Sequence, residues 1–194
     1  MPEPAHPPTR LPAQPGELID RGEMFPFSFD GEQYFAYPGD TIASALAAGG
    51  VTIFSRSFKY HRPRGLLCAA GHCANCLVQV EEEPNVRACT RAVQPGMRVT
   101  HQNAWPTLQH DIMSLTQLAA PLLPVGFYYK TFIHPRFLWP AYESVLRHAA
   151  GLGKLDLAAS AGPPHFKHYL HADVAVVGGG RSGMQAATAA ASLG

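Results

Sequence analysis

The chain has 194 residues and a mass of 20.9 kDa, and its 46% hydrophobic and 10% aromatic content supports a buried core and excludes wholesale disorder. Fifteen Lys and Arg against fourteen Asp and Glu leave a net charge of +1, which excludes a histone-like arm or an acidic tail as the basis of function. No apolar run approaches the ~20 residues of a membrane span, and MPEPAHPPTRLPAQPGEL lacks the apolar centre of a secretory leader, so the expectation is a cytoplasmic protein with no membrane span.

In chain order, residues 1–22 hold six of the 18 prolines and read as a disordered Pro-rich arm. MFPFSF and EQYFAY around Asp30-Gly31 predict a hairpin. Asp40 is placed to cap a helix over TIASALAA that stops at Gly49-Gly50. CLVQVEEEPNVRACTRAV predicts strands over 77–82 and 86–91 turning near Glu83-Pro84, and GMRVTHQ predicts one more strand. Five short strands and one helix make 23–104 an α+β unit. Residues 105–171 form an aromatic and Pro-rich connecting region whose predicted helix is AYESVLRHAAGLG. Over 172–194, ADVAVVGGGRSGMQAATAAASLG predicts an apolar strand, a glycine turn and an alanine-rich helix.

All four cysteines, Cys68, Cys73, Cys76 and Cys89, lie within 22 residues. The first three follow C-x4-C-x2-C, the spacing of the plant-type [2Fe–2S] loop, and the fourth follows 13 positions later. A hairpin with paired positions summing to about 167 sets Cys89 opposite Val78 and beside Cys76, and strands ~4.8 Å apart then let one cluster bridge loop and hairpin. Ala69, Ala70, Gly71 and Ala74 are small enough for the loop to fold closely over an inorganic core with its N–H groups on the sulfurs. Structural zinc favours two short C-x2-4-C pairs, and disulfides need an oxidising compartment; both remain as rivals to the cluster. His72, inside the loop, is expected to be exposed or a donor to the ligands, since Rieske-type ligation takes two histidines.

Gly178, Gly180 and Gly183 form G-x-G-x-x-G directly after the apolar strand and at the start of the helix. That context points to a dinucleotide whose pyrophosphate rests on the helix N-terminus, FAD or NAD, in the first βα unit of a Rossmann-type domain. The acidic ribose-binding residue expected ~20 residues on is absent, so the stretch reads as the front of a longer domain. SRSFKYHRPRG gathers Arg56, Lys59, Arg62 and Arg64 within nine positions among Phe58, Tyr60 and His61. Basic and aromatic residues also grip single-stranded nucleic acid, but a nearly neutral chain without a nucleic-acid fold signature argues instead for a domain or subunit contact, or for attraction of an anionic cofactor or carrier. Glu81-Glu82-Glu83 reads as a solvated tip or a face toward a redox partner. Phe127, Tyr128, Tyr129, Phe132, Phe137, Trp139 and Tyr142 read as interface packing. Ten histidines are scattered without ligand spacing, and no catalytic acid, base or nucleophile is nominated.

The stretches GDTIASALAAGGV, SRSFKYHRPRGL, PNVRACTRAVQPGMRV, GFYYKTFIHPRFLW, YESVLRHAAGLG and DVAVVGGGRSG together resemble the N-terminal part of the alpha subunit of heteromeric sarcosine oxidase and its relatives. The resemblance implies a β-grasp [2Fe–2S] ferredoxin-like domain, a linker and the start of a dinucleotide-binding flavoprotein domain. It implies further subunits of a flavin-dependent amine or amino-acid oxidoreductase as partners, a redox carrier, and oxidation of a substrate C–N bond at a flavin elsewhere in the complex. The cysteine set departs from sarcosine oxidase proper toward opine and proline dehydrogenase complexes and hydrogen cyanide synthase. A stand-alone ferredoxin-like carrier and a zinc-stabilised interaction module are the alternatives.

Overall fold

The computed structural model describes residues 9–126, 130, 134–153, 158 and 166–193. The chain divides into a unit of residues 1–159 and a unit of residues 160–194, each described by itself.

In the first unit, β1 (Phe25–Phe29) and β2 (Glu32–Ala36) pair antiparallel, with Phe29 opposite Glu32 across a two-residue turn. Asp30 and Gly31 both have positive φ, 52° and 87°, the mirror-image turn whose twist matches that of the strands. Helix α1 (Ile42–Ala48) follows and buries Ile42, Ala43, Ala45, Leu46 and Ala48. Its N-cap is Thr41, not Asp40: Thr41 Oγ1 accepts from the Ser44 N–H and Ser44 Oγ accepts from the Thr41 N–H. Asp40 is buried instead as a junction, accepting from the Tyr37 N–H and from Ser44 Oγ.

A short antiparallel ribbon, β3 (Ser55–Arg56) with β4 (Pro63–Arg64), precedes the cysteines. Next come β5 (Leu77–Val80), β6 (Glu83–Arg87) and β7 (Arg98–Thr100). The main sheet runs β2-β1-β7-β5-β6, with β1 and β7 parallel at its centre and the other neighbours antiparallel. Phe27 and Phe29 of β1, Val78 and Val80 of β5, and Val99 of β7 alternate onto one face and meet α1 and Phe54 in a single core. The expected five strands and one helix are present, and the β3–β4 ribbon is an addition.

The β5–β6 register corrects the sequence expectation. Val78 faces Val86, not Cys89, so paired positions there sum to 164 rather than 167, and a register shift between Val78 and Val80 sets Val80 opposite Glu83 with the turn on Glu81-Glu82. Pro84 lies inside β6. β6 is the sheet edge, where a residue without an N–H loses no ladder bond.

The proline-rich arm is docked over its described part. The Thr9 N–H donates to Ala48 O at 2.9 Å and the Asp20 N–H to Pro38 O at 2.8 Å. Arg10 clasps Asp40 through two bonds of 3.1 and 2.6 Å. A bidentate guanidinium–carboxylate bond to a buried acid holds this segment down despite its proline content.

Beyond β7 a 3₁₀ helix spans Ile112–Leu122, and α2 spans Trp139–Ala150 after a 3₁₀ turn at Arg136–Leu138. α2 begins two residues before the predicted helix and ends where Gly151 takes φ 59°. Phe127, Tyr128, Tyr129 and Phe132 lie outside the described residues. Among the described aromatics of that segment, Phe137 is 80% exposed on this chain.

In the second unit α3 (Arg181–Ser192) forms as expected, with Gly180 at its N-cap. The apolar segment before it is not a strand: residues 172–177 have no strand pairing, and Val177 is fully exposed. A strand is a pairing relation, and none of the described residues supplies a neighbour. Among the described residues no helix is long and apolar enough to cross a membrane.

Candidate functional site

The four cysteines converge from two places. Cys68, Cys73 and Cys76 lie on the irregular loop between β4 and β5, and Cys89 lies in the turn after β6. Cys76 and Cys89 are buried, while Cys68 and Cys73 are half-buried, and none is in a disulfide. The Ala88 N–H donates to Cys76 O at 3.0 Å, tying the turn to the end of the loop. The corrected register therefore still brings Cys89 to Cys76, but from a turn beyond the strand. Gly71 packs the loop on that same turn: it has φ +76°, and a Cβ there would sit 2.9 Å from Thr90 Cγ2. Ser55 Oγ donates to Asn75 O at 2.8 Å and anchors the loop to β3.

The sulfurs form two adjoining pairs. The Cys68 thiol is lowered to about 6, first by the Ala70 N–H and then by the N–H and thiol of Cys73, with a further N–H from His72. The Ala70 N–H lies 3.5 Å from Cys68 Sγ. Cys76 is pushed up to about 11 by burial above all; the Cys89 N–H works against that rise, and the Cys89 thiol and the charge of Cys73 add to it. Hence Cys68 faces Cys73, Cys76 faces Cys89, and Cys73 adjoins the second pair. Backbone N–H groups aimed at sulfur stabilise thiolate, the metal-binding form.

Two adjoining pairs of sulfurs, with backbone N–H donors beside them, are a donor set that could hold a two-iron cluster with two protein ligands on each iron. His72 is exposed, as expected, and only its backbone reaches the cysteines.

Beside this loop the structure buries residues that motif reasoning passed over. Arg56 is 7% exposed, and its guanidinium donates to the carbonyls of His61 (3.0 Å), Gln109 (3.0 Å) and Leu108 (2.8 Å from Nε). His61 Nδ1 lies 2.7 Å from Asp111 Oδ2, both almost fully buried. Asp111 also accepts from the N–H groups of Trp105 and Met113, each at 3.1 Å. These groups clamp the β3–β4 ribbon to the segment after β7. The only sequence signal was position: a basic, aromatic-rich run just before the first cysteine. The Glu81–Glu83 tip is not a free acidic face, because Arg98 pairs with Glu81 at 3.0 Å and Arg91 pairs with Glu83.

In the second unit, Gly178 has φ +116° and Gly180 caps α3. A Cβ on Gly183 would lie 1.9 Å from Gly178 O, whereas Gly179 and Gly180 face open space. The three motif glycines are thus brought together, the third by close packing of the turn on the helix.

Residues 22–104 match the family model described as a 2Fe-2S iron-sulfur cluster binding domain. Its ferredoxin-like fold accords with the mixed sheet and single helix. The chain is 44% identical over 190 residues to sarcosine oxidase subunit alpha of Rhizobium meliloti (strain 1021), covering 95% of this chain and 19% of that protein. It is 33% identical over 188 residues to the corresponding subunit of Corynebacterium sp. (strain P-1), covering 95% and 15%. Hydrogen cyanide synthase subunit HcnA of Pseudomonas aeruginosa is 36% identical over 81 residues, covering 42% of this chain and 76% of that protein. The chain therefore spans about a fifth or less of the sarcosine oxidase subunits it matches. The cysteine loop, the sheet that carries it and these likenesses agree: the chain belongs to the family of sarcosine oxidase alpha subunits and HcnA, and its own residues 22–104 carry a 2Fe-2S iron–sulfur cluster binding domain.

Proposed function

We propose that this chain is the iron–sulfur and dinucleotide-binding part of a cytoplasmic, multi-subunit, flavin-dependent oxidoreductase acting on the C–N bond of an amine or amino acid. The observation that carries the reading is the pairing of sulfurs: Cys68 with Cys73 and Cys76 with Cys89. In this reading the first pair holds one iron and the second pair the other. When bound, a [2Fe–2S] cluster accepts and returns one electron at a time. The chain's own residues set its surroundings. The N–H groups of Ala70, His72 and Cys73 favour negative sulfur on the outer side, and burial of Cys76 and Cys89 excludes water on the inner side.

Gly178, Gly180 and Gly183 begin the FAD or NAD site. Support comes from the open space over Gly179 and Gly180, where a pyrophosphate could approach the backbone, and from the N-terminus of α3, which has no side-chain cap. The partner subunits and the Rossmann-type sheet around this unit belong to the same proposal, which follows the names of the relatives.

The test is the visible spectrum of anaerobically prepared protein, with iron and acid-labile sulfide assayed on the same sample. Two irons and two sulfides per chain, with colour that bleaches on reduction, are expected. Cys89→Ser is expected to lose the colour as completely as Cys73→Ser. A normal spectrum in Cys89→Ser would overturn the fourth ligand. A colourless protein that cannot be reconstituted would overturn the relay.

A further inference from the structure

We infer that Ser55 is a positioning residue for the cysteine loop, held in place by a buried clamp whose far side, Leu108, Gln109 and Asp111, lies beyond the matched iron–sulfur domain. The clamp sets the surroundings of Cys76, and the inference rests on the iron–sulfur reading of the four cysteines.

β3 is two residues long and both are buried, Ser55 at 4% and Arg56 at 7% exposure. Successive strand residues point to opposite faces, and these two meet different parts of the chain. Ser55 Oγ reaches across 20 positions to donate to Asn75 O at 2.8 Å, next to Cys76. Arg56 turns the other way, to the carbonyls of Leu108 and Gln109, 52 and 53 positions on. The ribbon also fixes the start of the loop. A Cβ on Gly65 would lie 2.8 Å from Thr52 O, and the Phe54 N–H donates to Arg64 O at 2.9 Å. The loop therefore leaves the ribbon at Gly65 and is tied back to it at Asn75, with Cys68 and Cys73 between and Cys76 just beyond.

A two-residue ribbon is too short to keep its place by its own ladder, and it is fastened from behind. Asn103 takes the part of a neighbouring strand: its Oδ1 accepts from the Arg56 N–H at 3.0 Å, and its Nδ2 donates to Arg56 O. Leu108, 1% exposed, offers its carbonyl to Arg56 Nε at 2.8 Å. Asp111, its side chain fully buried, holds His61 of the same ribbon's loop at 2.7 Å. Bonds to buried charged groups are the stronger kind, and breaking one strands its partner away from water, so the ribbon has one position.

The consequence reaches the sulfurs through one peptide. The Asn75 carbonyl belongs to the peptide group that leads into Cys76, so a displaced ribbon turns that peptide and re-aims the sulfur after it. Cys76 is 2% exposed, and water does not replace a lost anchor there. Groups that orient a ligand without touching the metal tune both affinity and potential. The match to the iron–sulfur domain ends at residue 104, so Leu108, Gln109 and Asp111 act on the loop from outside it.

The experiment takes the full chain with its cluster and reads the midpoint potential, by visible redox titration, and the rate at which iron is lost to EDTA. Ser55→Ala is expected to lose iron about tenfold faster, and its oxidised-to-reduced ratio at the wild-type midpoint is expected to move at least about threefold. Ser55→Thr, which keeps the hydroxyl, is expected to bring both readings within about twofold of wild type. Asp111→Asn is expected to move both in the same direction by less. The control is Tyr34→Ala on β2, at the sheet edge opposite β6, which removes ring contacts with Phe27 and Phe29. It is expected to lower the urea midpoint with the potential unchanged. Unaltered readings in Ser55→Ala, a Ser55→Thr as altered as Ser55→Ala, or an equal shift in Tyr34→Ala would overturn the inference. No effect of Asp111→Asn would overturn the part played from beyond the domain. If Ser55→Ala does not fold, Asp111→Asn decides by the same readings. A colourless wild-type protein would sink the cluster reading alone; hydrogen exchange over residues 66–76 then decides, with faster exchange in Ser55→Ala expected and unchanged exchange overturning. A brown protein whose readings ignore Ser55 would sink the positioning role alone.

Discussion

The cysteine-bearing sheet and the glycine-turn helix carry motifs of comparable clarity in sequence, yet they are built differently. Around the cysteines, seventeen buried residues among those described, from β1, β2, α1, β5, β6, β7 and the flanking loops, form one core, and two of the candidate ligands belong to it. In the second unit α3 buries no residue and Val177 is fully exposed. The first motif stands on a sheet that this chain completes. The second holds its turn by local contacts alone, Gly183 against Gly178 O and the Met184 N–H to Gly180 O at 2.9 Å. A motif's spacing can therefore be fully present where no strand among the described residues stands beside it.

The contrast breaks most sharply under core truncation. Leu46→Ala, at a position with no exposure, is expected to destabilise the first unit by about 2–5 kcal/mol, read as a shift in the urea midpoint. Val177→Ser is expected to stay within about 0.5 kcal/mol. A large effect of Val177→Ser would show that the second unit has a core of its own. Next in size, Asp40→Ala removes the acceptor of Arg10, Tyr37 N–H and Ser44 Oγ. The expected loss is about 3 kcal/mol, since each donor is left without its bond, and hydrogen exchange at residues 9–21 should rise toward the free-chain rate.

The two glycines sharpen the comparison at the sites. Gly71→Ala meets both an unfavourable φ and Thr90, and is expected to lower stability by about 1–2 kcal/mol and to slow cluster reconstitution. Gly183→Ala collides with a backbone oxygen and is expected to disorder the start of α3, seen in the chemical shifts of residues 178–186, while leaving the urea midpoint of the first unit unchanged.

The smallest effect is a pH dependence. His101 is raised above its ordinary value by the adjacent Asp30 carboxylate, Nδ1 to Oδ1 2.9 Å, against opposing burial. The hydrogen-bond contact with Asp30 contributes most, ahead of the attraction between the charges and of the Ala104 carbonyl. A raised folded-state pKa means that the contribution is complete below the unfolded value of about 6.5 and disappears as pH rises through the folded value. The expected change is under about 1 kcal/mol, lost above neutral pH and absent in Asp30→Asn.

How far the sequence reached follows from interaction range. The Asp30-Gly31 turn, α1 and the C-x4-C-x2-C loop were legible because each depends on neighbours within a few positions. The β5–β6 register was not: Pro84 read as a turn residue because its tolerance at an edge depends on where the strand lies in the sheet. Asp40 read as a cap because its partner, Arg10, is 30 residues away. Arg56, His61 and Asp111 were opaque for the same reason, His61 and Asp111 being separated by 50 positions. The cysteines tolerated the register error because the Ala88 N–H bond to Cys76 O continues the observed pairing one step past the strands, and the turn that follows carries Cys89 to Cys76.

The clasp between Arg10 and Asp40 means that the boundary of homology and the boundary of cooperative folding do not coincide. The family match begins at residue 22, and a domain cut there keeps every strand and the helix. It also leaves a carboxylate with a fully buried side chain facing the core without its counter-charge. The stretch that looks most dispensable by composition acts as a strap across the start of α1. An excised ferredoxin-like module would resemble its parent in shape while unfolding at a lower temperature.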